Sequence, residues 1–491
     1  MSSCGNPNAE ADALMTRRPK YDRSKACVKC KSKTGNIVIR HAVYCKDCFF
    51  PLISLRFRRT LEPHVNPTLD LHRRKGLKAS GNLLIGFSGG LGSTVLLDLV
   101  QKTYLAPRER QDGDQNPNGG CPWPKVVVAH IDTSSVLTEV QGESCRIRGV
   151  VESYGAVFEY LPLRLEDAFD QKWWRSVGGP DFVHPTGLDI INEDMFLKLL
   201  SSNRTSPSSA LNAYIASLPT QTAVASGIQA LVRVLLLYTA VSTHASHLLL
   251  GTSLTSLSIS LISSISQGGG YSIKEEAQEE WSDNNEDGTD RTVRLVRPLR
   301  EVGTKECTLW AWWNDLTVIG KHRYSGGRQD ISALTRDFIV GLEKDYPSTV
   351  SAIARTCNKL TTKESTNTKC LFCERPVQSG IQEWKHKISI RSYRDLGPDI
   401  MSPPHMNLEG GSSGDSRPTH TGPVASNLCY ACHTTWTSRS IRGNAASQND
   451  IPIPVWVASR SDHHNDLRNG RKVEENDLQY LIKDFLLDSG S

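Results

Sequence analysis

Apolar residues fall in short runs along the chain, and the runs alternate between the period of a strand and that of a helix. A continuous run at 82–87 is followed by Ser88, Gly89 and Gly90, then by Leu96, Leu97, Leu99 and Val100 at helical spacing. That order predicts a strand, a glycine turn and a helix. A second strand is predicted over 126–131, ending at Asp132, then a helix over 142–154 and a third strand over 157–161. The pattern resumes with a helix at 226–239, a strand at 247–251 and a helix from Leu254 towards Ile265. Strands alternating with helices predict crossover units, so the expected fold class is α/β, a doubly wound and mainly parallel sheet running to about Leu299.

No Lys, Arg, Asp or Glu occurs between 234 and 273, but His244, His247, the glycines at 268–270 and many Ser and Thr break the tract. It offers no window of roughly 20 apolar residues for a membrane span. A buried helix-strand-helix segment, and no membrane, is the expectation. The first twenty residues lack the pattern of a secretory signal, so a cytoplasmic location with reduced thiols is expected. Loops are predicted at 108–124, 275–290 and 409–426, the second as a solvated acidic face. The organisation expected is a disordered tail at 1–25, a zinc-binding module at 26–60, an α/β domain at 75–320, a helical extension at 321–360 and a C-terminal region at 361–491 with a flexible insert.

At 491 residues the chain can bury a core without covalent staples. Its net charge of +5 conceals an asymmetry: from 16 to 78 there are seventeen Lys and Arg against four Asp and Glu, and the remainder is net acidic. A basic end of this kind marks either a solvated face or an RNA contact, for which Arg56, Arg58, Arg59, Arg73, Arg74 and Lys75 are the candidates. Tyr44, Phe49 and Phe50 are the aromatic residues interleaved with them.

Cys27, Cys30, Cys45 and Cys48 form two Cys-x2-Cys pairs separated by fourteen residues, the spacing that places four thiols on two short knuckles around a structural zinc ion. Cys370, Cys373, Cys429 and Cys432 repeat the pairs with fifty-five residues between them. The two regions are similar in spacing alone. Two disulfides or unrelated thiols are the alternatives to zinc. His433 could replace a cysteine, although a histidine in that position is more often on the surface. Cys4, Cys121, Cys145, Cys307 and Cys357 read as apolar fillers or exposed thiols.

A glycine turn between strand and helix offers backbone N–H groups to a phosphate. The turn is neither a Walker sequence nor a dinucleotide fingerprint. The residues from Ser88 to Ser93 resemble the PP-loop, S-G-G-x-D-S, of enzymes that split ATP to AMP and pyrophosphate, with Gly92 at the acidic position. Ser88, Gly89, Gly90 and Ser93 are thus candidate nucleotide-binding residues, while Gly92 cannot ligate magnesium.

Taken in order, the first cysteine quartet with Tyr44 to Phe49, the Arg56-Phe57-Arg58 tract, the altered turn and Arg297-Pro298-Leu299-Arg300 resemble the cytoplasmic tRNA 2-thiolation protein 2 family, over 27–313 and the C-terminal pairs. The resemblance implies a PP-loop, adenine nucleotide alpha hydrolase-like domain with an N-terminal zinc-ribbon-like module and structural zinc. It also implies a catalytic sister subunit with an intact PP-loop, and 2-thiolation of the wobble uridine in tRNAs for Lys, Glu and Gln. Sulfur would come from a thiocarboxylated ubiquitin-related modifier, which this chain would meet indirectly. Three features depart from the catalytic sister. Gly92 replaces the acid, no cysteine lies between Cys145 and Cys307, and Thr252, Ser253, Leu254, Thr255 and Ser256 stand where acidic residues are expected. The reading is a non-catalytic subunit of a heterodimer. Two others stand beside it: an active ATP-dependent sulfurtransferase in which Asp132 or Asp98 replaces the missing acid, and a zinc-stabilised adaptor unrelated to tRNA.

Overall fold

In the computed structural model the described residues are 26–39, 42–66, 77, 79–106, 121–137, 142–180, 186–189, 195–199, 206–283, 291–320, 330–357, 359–360, 368–378, 424–437 and 451–460. A short antiparallel hairpin, β1 (Ile37–Ile39) with β2 (Ala42–Tyr44), leads into α1 (Lys46–Val65). Phe49, Ile53, Phe57, Leu61 and Val65 repeat every fourth residue on α1 and are its buried stripe.

The central sheet then begins with β3 (Asn82–Gly86), followed by α2 (Leu91–Val100), β4 (Val126–Asp132), α3 (Glu143–Glu152) and β5 (Glu159–Arg164). The chain next passes through α4 (Gln171–Ser176), β6 (Thr186–Asp189), β7 (Phe196–Leu199), α5 (Pro207–Ser217) and α6 (Gln221–Ser242). It re-enters the sheet at β8 (Ala245–Leu250), then forms α7 (Leu254–Ser266), α8 (Ile273–Ala277), β9 (Glu279–Asp283), β10 (Arg291–Val296) and α9 (Thr304–Trp313). The remaining described elements are α10 (Ile331–Asp345), α11 (Ser348–Cys357), α12 (Tyr430–Thr437) and β11 (Ile451–Pro452), the last pairing with β6 beside β7.

The sheet order is β5-β4-β3-β8-β10-β9, parallel throughout except for the antiparallel edge strand β9. From β3 the chain winds outward through β4 to β5, then crosses back to β8 and out to β10. The sheet is therefore doubly wound, with its switch point between β3 and β8, where such folds bind ligands beyond the carboxyl ends of the strands. Leu83 and Ile85 of β3 face one core with α1, α2 and α9, while Leu84 faces a second core with α5, α6 and the C-terminal cysteines. Burial on both faces explains the unbroken apolar run. A third cluster joins α7 to α10 and α11.

Three expectations change. The third strand starts two residues later than the apolar run suggested, at Glu159, because Val157 lies before the ladder and is exposed. The acidic stretch from 275 is not simply a solvated face: Glu276 and Glu279 are buried, paired with Arg375 and Arg233. And α6 is long and apolar enough, by length and composition, to cross a membrane. Two thirds of its apolar window is buried inside the protein, so its hydropathy is that of a central core helix. The uncharged tract is a helix, strand and helix whose buried residues are shared among the three clusters.

Two histidines give the sheet an acid sensitivity. His130 of β4 donates from Nδ1 to the Phe87 carbonyl at 3.0 Å, and His247 of β8 from Nε2 to the His64 carbonyl at 3.0 Å. Burial holds both below the ordinary value of 6.5. The unfolded chain therefore takes up these protons first: their contribution is complete above 6.5 and is lost as pH falls from there through the folded-state values. The urea midpoint is expected to drop as pH falls below 6.5, and the double variant His130→Gln/His247→Gln to flatten that drop. An unchanged slope in the double variant would refute the assignment.

Candidate functional site

Residues 88–90 lie at the switch point, between the end of β3 and the first turn of α2, as the strand-turn-helix reading requires. Gly89 adopts φ +70°, and its carbonyl accepts from the N–H groups of Ile319 and Gly320. A side chain there would also meet Ile147 of α3 at 3.1 Å. Gly90 caps the helix; its carbonyl accepts from the Ser93 and Thr94 hydroxyls at 2.9 and 3.0 Å. The Ser88 hydroxyl, on an exposed residue, reaches that of Ser93 at 3.3 Å. The first N–H groups of α2 have no partners along the helix, which leaves an anion-binding end.

Gly92 is where the site departs most from an ATP-splitting one. A Cβ on Gly92 would sit 2.0 Å from the carbonyl oxygen of Gly251, just beyond β8. A Cβ on Gly251 would in turn lie 2.4 Å from the Ser93 nitrogen. The loops following the two central strands thus touch backbone to backbone, and no side chain of any kind fits between them.

The two substitute acids each have other partners. Asp98 is buried on the α9 side of α2, accepting from Trp310 Nε1 at 2.7 Å and pairing with Lys102 at 3.0 Å. Asp132 ends β4 at the correct edge of the sheet, but its Oδ1 accepts from the Ser134 N–H at 2.8 Å. Beyond β8, the Ser253 hydroxyl bonds Ser256 and Thr304, and the Thr255 hydroxyl donates to Glu343 of α10. The hydroxyls that stand in place of acids are spent on fastening α7 to α9 and α10.

Both cysteine quartets close. In each, the four sulfurs lie within 4.8 Å of one another. Cys30 and Cys45 are 3.8 Å apart and Cys373 and Cys429 3.6 Å. Four thiolates held at about 2.3 Å from one ion form a tetrahedron with edges of about 3.8 Å. These edges fit a single tetrahedral ion.

The resemblance between the quartets goes beyond spacing, which corrects the sequence reading. Cys27 N–H bonds the Lys33 carbonyl and Lys31 N–H returns to Cys27, while Cys370 N–H bonds Arg375 and Glu374 N–H returns to Cys370, all at 2.8 Å. Lys31 and Glu374 follow the second cysteine at φ +59° and +58°. Neither is the glycine that this backbone favours, so composition gave no signal of the shared knuckle. The other pair of each quartet is not a second knuckle. Cys45 caps α1 and Cys429 immediately precedes α12, each with its partner in the first turn. In the first knuckle the Ser32 hydroxyl, with backbone N–H groups of Ser32 and Lys33, holds the Cys30 thiol down at about 6. His433 is buried and outside the quartet, contrary to the surface reading.

The C-terminal quartet is clamped to the core by buried charge. Glu374, 1% exposed, accepts from Tyr238 of α6, Trp281 of β9 and Arg460. Arg233 of α6 binds Glu279 and the Cys373 carbonyl, and burial pushes its guanidinium down to about 10. Spacing arguments missed all of these partners, which lie some 40 to 140 residues apart in sequence.

Of the basic candidates, Arg56 points inward to Glu306 at 3.1 Å, and exposed Arg58 pairs with Glu62 one turn on. Arg59 is exposed; Arg73, Arg74 and Lys75 lie outside the described residues. Phe49 is buried against Trp313, whereas Trp312, which the sequence reading left unused, is exposed on the far side of Trp313. Cys307 and Cys357 are buried fillers and Cys121 and Cys145 exposed thiols, as expected.

A family model for cytoplasmic tRNA 2-thiolation protein 2 matches residues 330–434. Cytoplasmic tRNA 2-thiolation protein 2 of Danio rerio is 25% identical, covering 71% of this chain and 72% of its own length. The 2-A form of Xenopus laevis is 23% identical over 94% of both chains. Among solved structures, the U34-tRNA thiolase NcsA from Methanococcus maripaludis with its [4Fe-4S] cluster covers 70% of this chain and 90% of its own at 17% identity, with a TM-score of 0.44. By that model over residues 330–434 and by such relatives along most of its length, the chain is similar to the cytoplasmic tRNA 2-thiolation protein 2 family.

Proposed function

We propose that this chain is the non-catalytic subunit of a cytoplasmic tRNA 2-thiolation assembly. In this reading it pairs with a sister subunit that carries an intact PP-loop, and the sister uses sulfur from a thiocarboxylated ubiquitin-related modifier. The names of the relatives supply the pathway. The observation that carries the division of labour is the backbone contact between Gly92 and Gly251, which leaves no space for the acid that an ATP-splitting turn needs.

Exchanging the uridine oxygen for sulfur requires adenylation of the oxygen and a sulfur nucleophile. Among the described residues the turn has no carboxylate side chain, and both closed cysteine quartets have the spacing of structural ion sites. Zinc is the ion that suits four thiolates in a closed tetrahedral set, and it would supply folding energy at both quartets. The anion-binding end of α2 is left to hold a phosphate without splitting it.

In cells lacking the chain, 2-thiouridine at the wobble position should disappear from the tRNAs for Lys, Glu and Gln, and return with the intact gene. The purified chain alone should release no pyrophosphate from ATP in the presence of tRNA, and the complex with its sister should. Pyrophosphate release by the chain alone would favour the enzyme reading, with Asp132 as the acid. Unchanged 2-thiouridine would leave a zinc-stabilised adaptor.

A further inference from the structure

We propose that Trp312 is a stacking platform for an unpaired RNA base, flanked by lysines of the N-terminal cysteine module; this rests on reading the chain as a tRNA-binding subunit. Tryptophan is among the most buried residues on average, yet Trp312 is 71% exposed at the end of α9. The helix that carries it is firmly anchored, by Glu306 on Arg56 and Trp310 on Asp98.

Trp313 backs the exposed ring. The two indoles stack at 6.1 Å with 27° between their planes. Trp313 in turn meets Phe49 edge-on at 5.2 Å and Phe50 at 5.8 Å, with Lys46 Nζ 5.5 Å from its centroid. The outer ring is thus presented on a pre-organised aromatic stack, and a base landing on it freezes little that was not already fixed.

Lys46 and the other cations of its cysteine module decide the kind of ligand. Lys29 and Lys31 flank Cys30, whose sulfur is 3.8 Å from that of Cys45, and Lys46 follows Cys45. All three are exposed, and the neighbouring acid, Asp47, is taken by Lys33. Lysine is depleted at protein-protein interfaces, whereas aromatic rings set among cations are how proteins hold splayed-out bases and their phosphates. The surface therefore fits a single-stranded RNA segment, such as a tRNA loop, better than a protein partner.

The test is binding of an unmodified tRNA transcript to the full-length chain, alone and with its sister subunit, across a salt series. Trp312→Ala should weaken binding about tenfold without altering the dependence on salt, and Trp312→Phe should restore most of it. Lys29→Ala/Lys31→Ala should lower the salt slope by about 2. Thermal unfolding of each variant checks that the fold is intact. If Trp312→Ala binds tRNA like the wild type while the wild type binds well, the stacking platform is wrong and the subunit reading survives. Loss of the sister subunit with tRNA affinity unchanged would make the surface a protein interface and overturn the proposal. A wild-type complex with no affinity for tRNA would remove the reading on which both depend.

Discussion

Serine in place of Cys370 or Cys429 is expected to leave the full-length chain unable to fold. The four C-terminal sulfurs belong to the same buried cluster as α6, β6 and the strand residues Leu84 and Leu248. A structural zinc ion contributes an apparent ~10–16 kcal/mol to a Cys4 site, as much as the entire net stability of a typical domain, about 5–15 kcal/mol. Removing one ligand also leaves Glu374, Arg233 and Arg375 buried around a collapsed knuckle, and breaking a buried ion pair costs about 3–5 kcal/mol. Cys30→Ser should behave differently, because Cys30 is exposed and its knuckle stands at the edge of the fold. There the chain should remain soluble with a native near-ultraviolet spectrum and hold one metal ion fewer than the wild type by elemental analysis. A soluble Cys370→Ser chain that keeps a native spectrum and both ions would refute the structural role.

Gly92→Ala should destabilise the protein by about 3 kcal/mol, although alanine is the better helix former. The added methyl would have to displace the Gly251 carbonyl, a backbone atom at the end of the central strand β8, by more than an ångström to reach ordinary contact. Gly341→Ala in α10 is the control: its Cβ meets nothing within 4 Å, so it should stabilise by about 0.5–1 kcal/mol. Gly92→Asp follows from the same contact. Supplying the acid of an intact PP-loop should lower the unfolding midpoint at least as much as alanine and generate no pyrophosphate release. A stable Gly92→Asp chain that splits ATP would show that the two loops can part.

The parallel core was legible because it is buried on both faces, so that β3 and β4 announce themselves as apolar runs and β8 as three leucines before Gly251. The cysteine quartets were legible for a similar reason: the geometry of one ion fixes the spacing of the pairs. What escaped was non-local. The edge strand β9 reads as an acidic loop until Arg233 is brought to Glu279 and Trp281 to Glu374. The sequence shows that Gly92 replaces an acid; only the packing of two loops 159 residues apart shows why nothing else could stand there. Likewise Arg56 was counted as a free cation, because its partner Glu306 lies 250 residues away. Trp312 and Trp313 are plain in the sequence, but their relation to Lys46 and Phe49 exists only once α9 lies along α1.

The cluster beneath the sheet is finished by the last residues the structure describes. Trp456 is fully buried, donates to the Phe372 carbonyl at 3.0 Å and lies 6.4 Å from the Tyr238 ring, while β11 adds itself to β6. At about 5–20 residues per second, a ribosome that has just made α6 needs on the order of ten to forty seconds to reach these positions. Throughout that interval the nascent chain carries an uncovered face of α6, the one helix among the described residues long and apolar enough to cross a membrane. The N-terminal quartet, complete after forty-eight residues, can take its ion long before. Emerging chains should therefore engage holding chaperones through α6, and release should await delivery of the second ion.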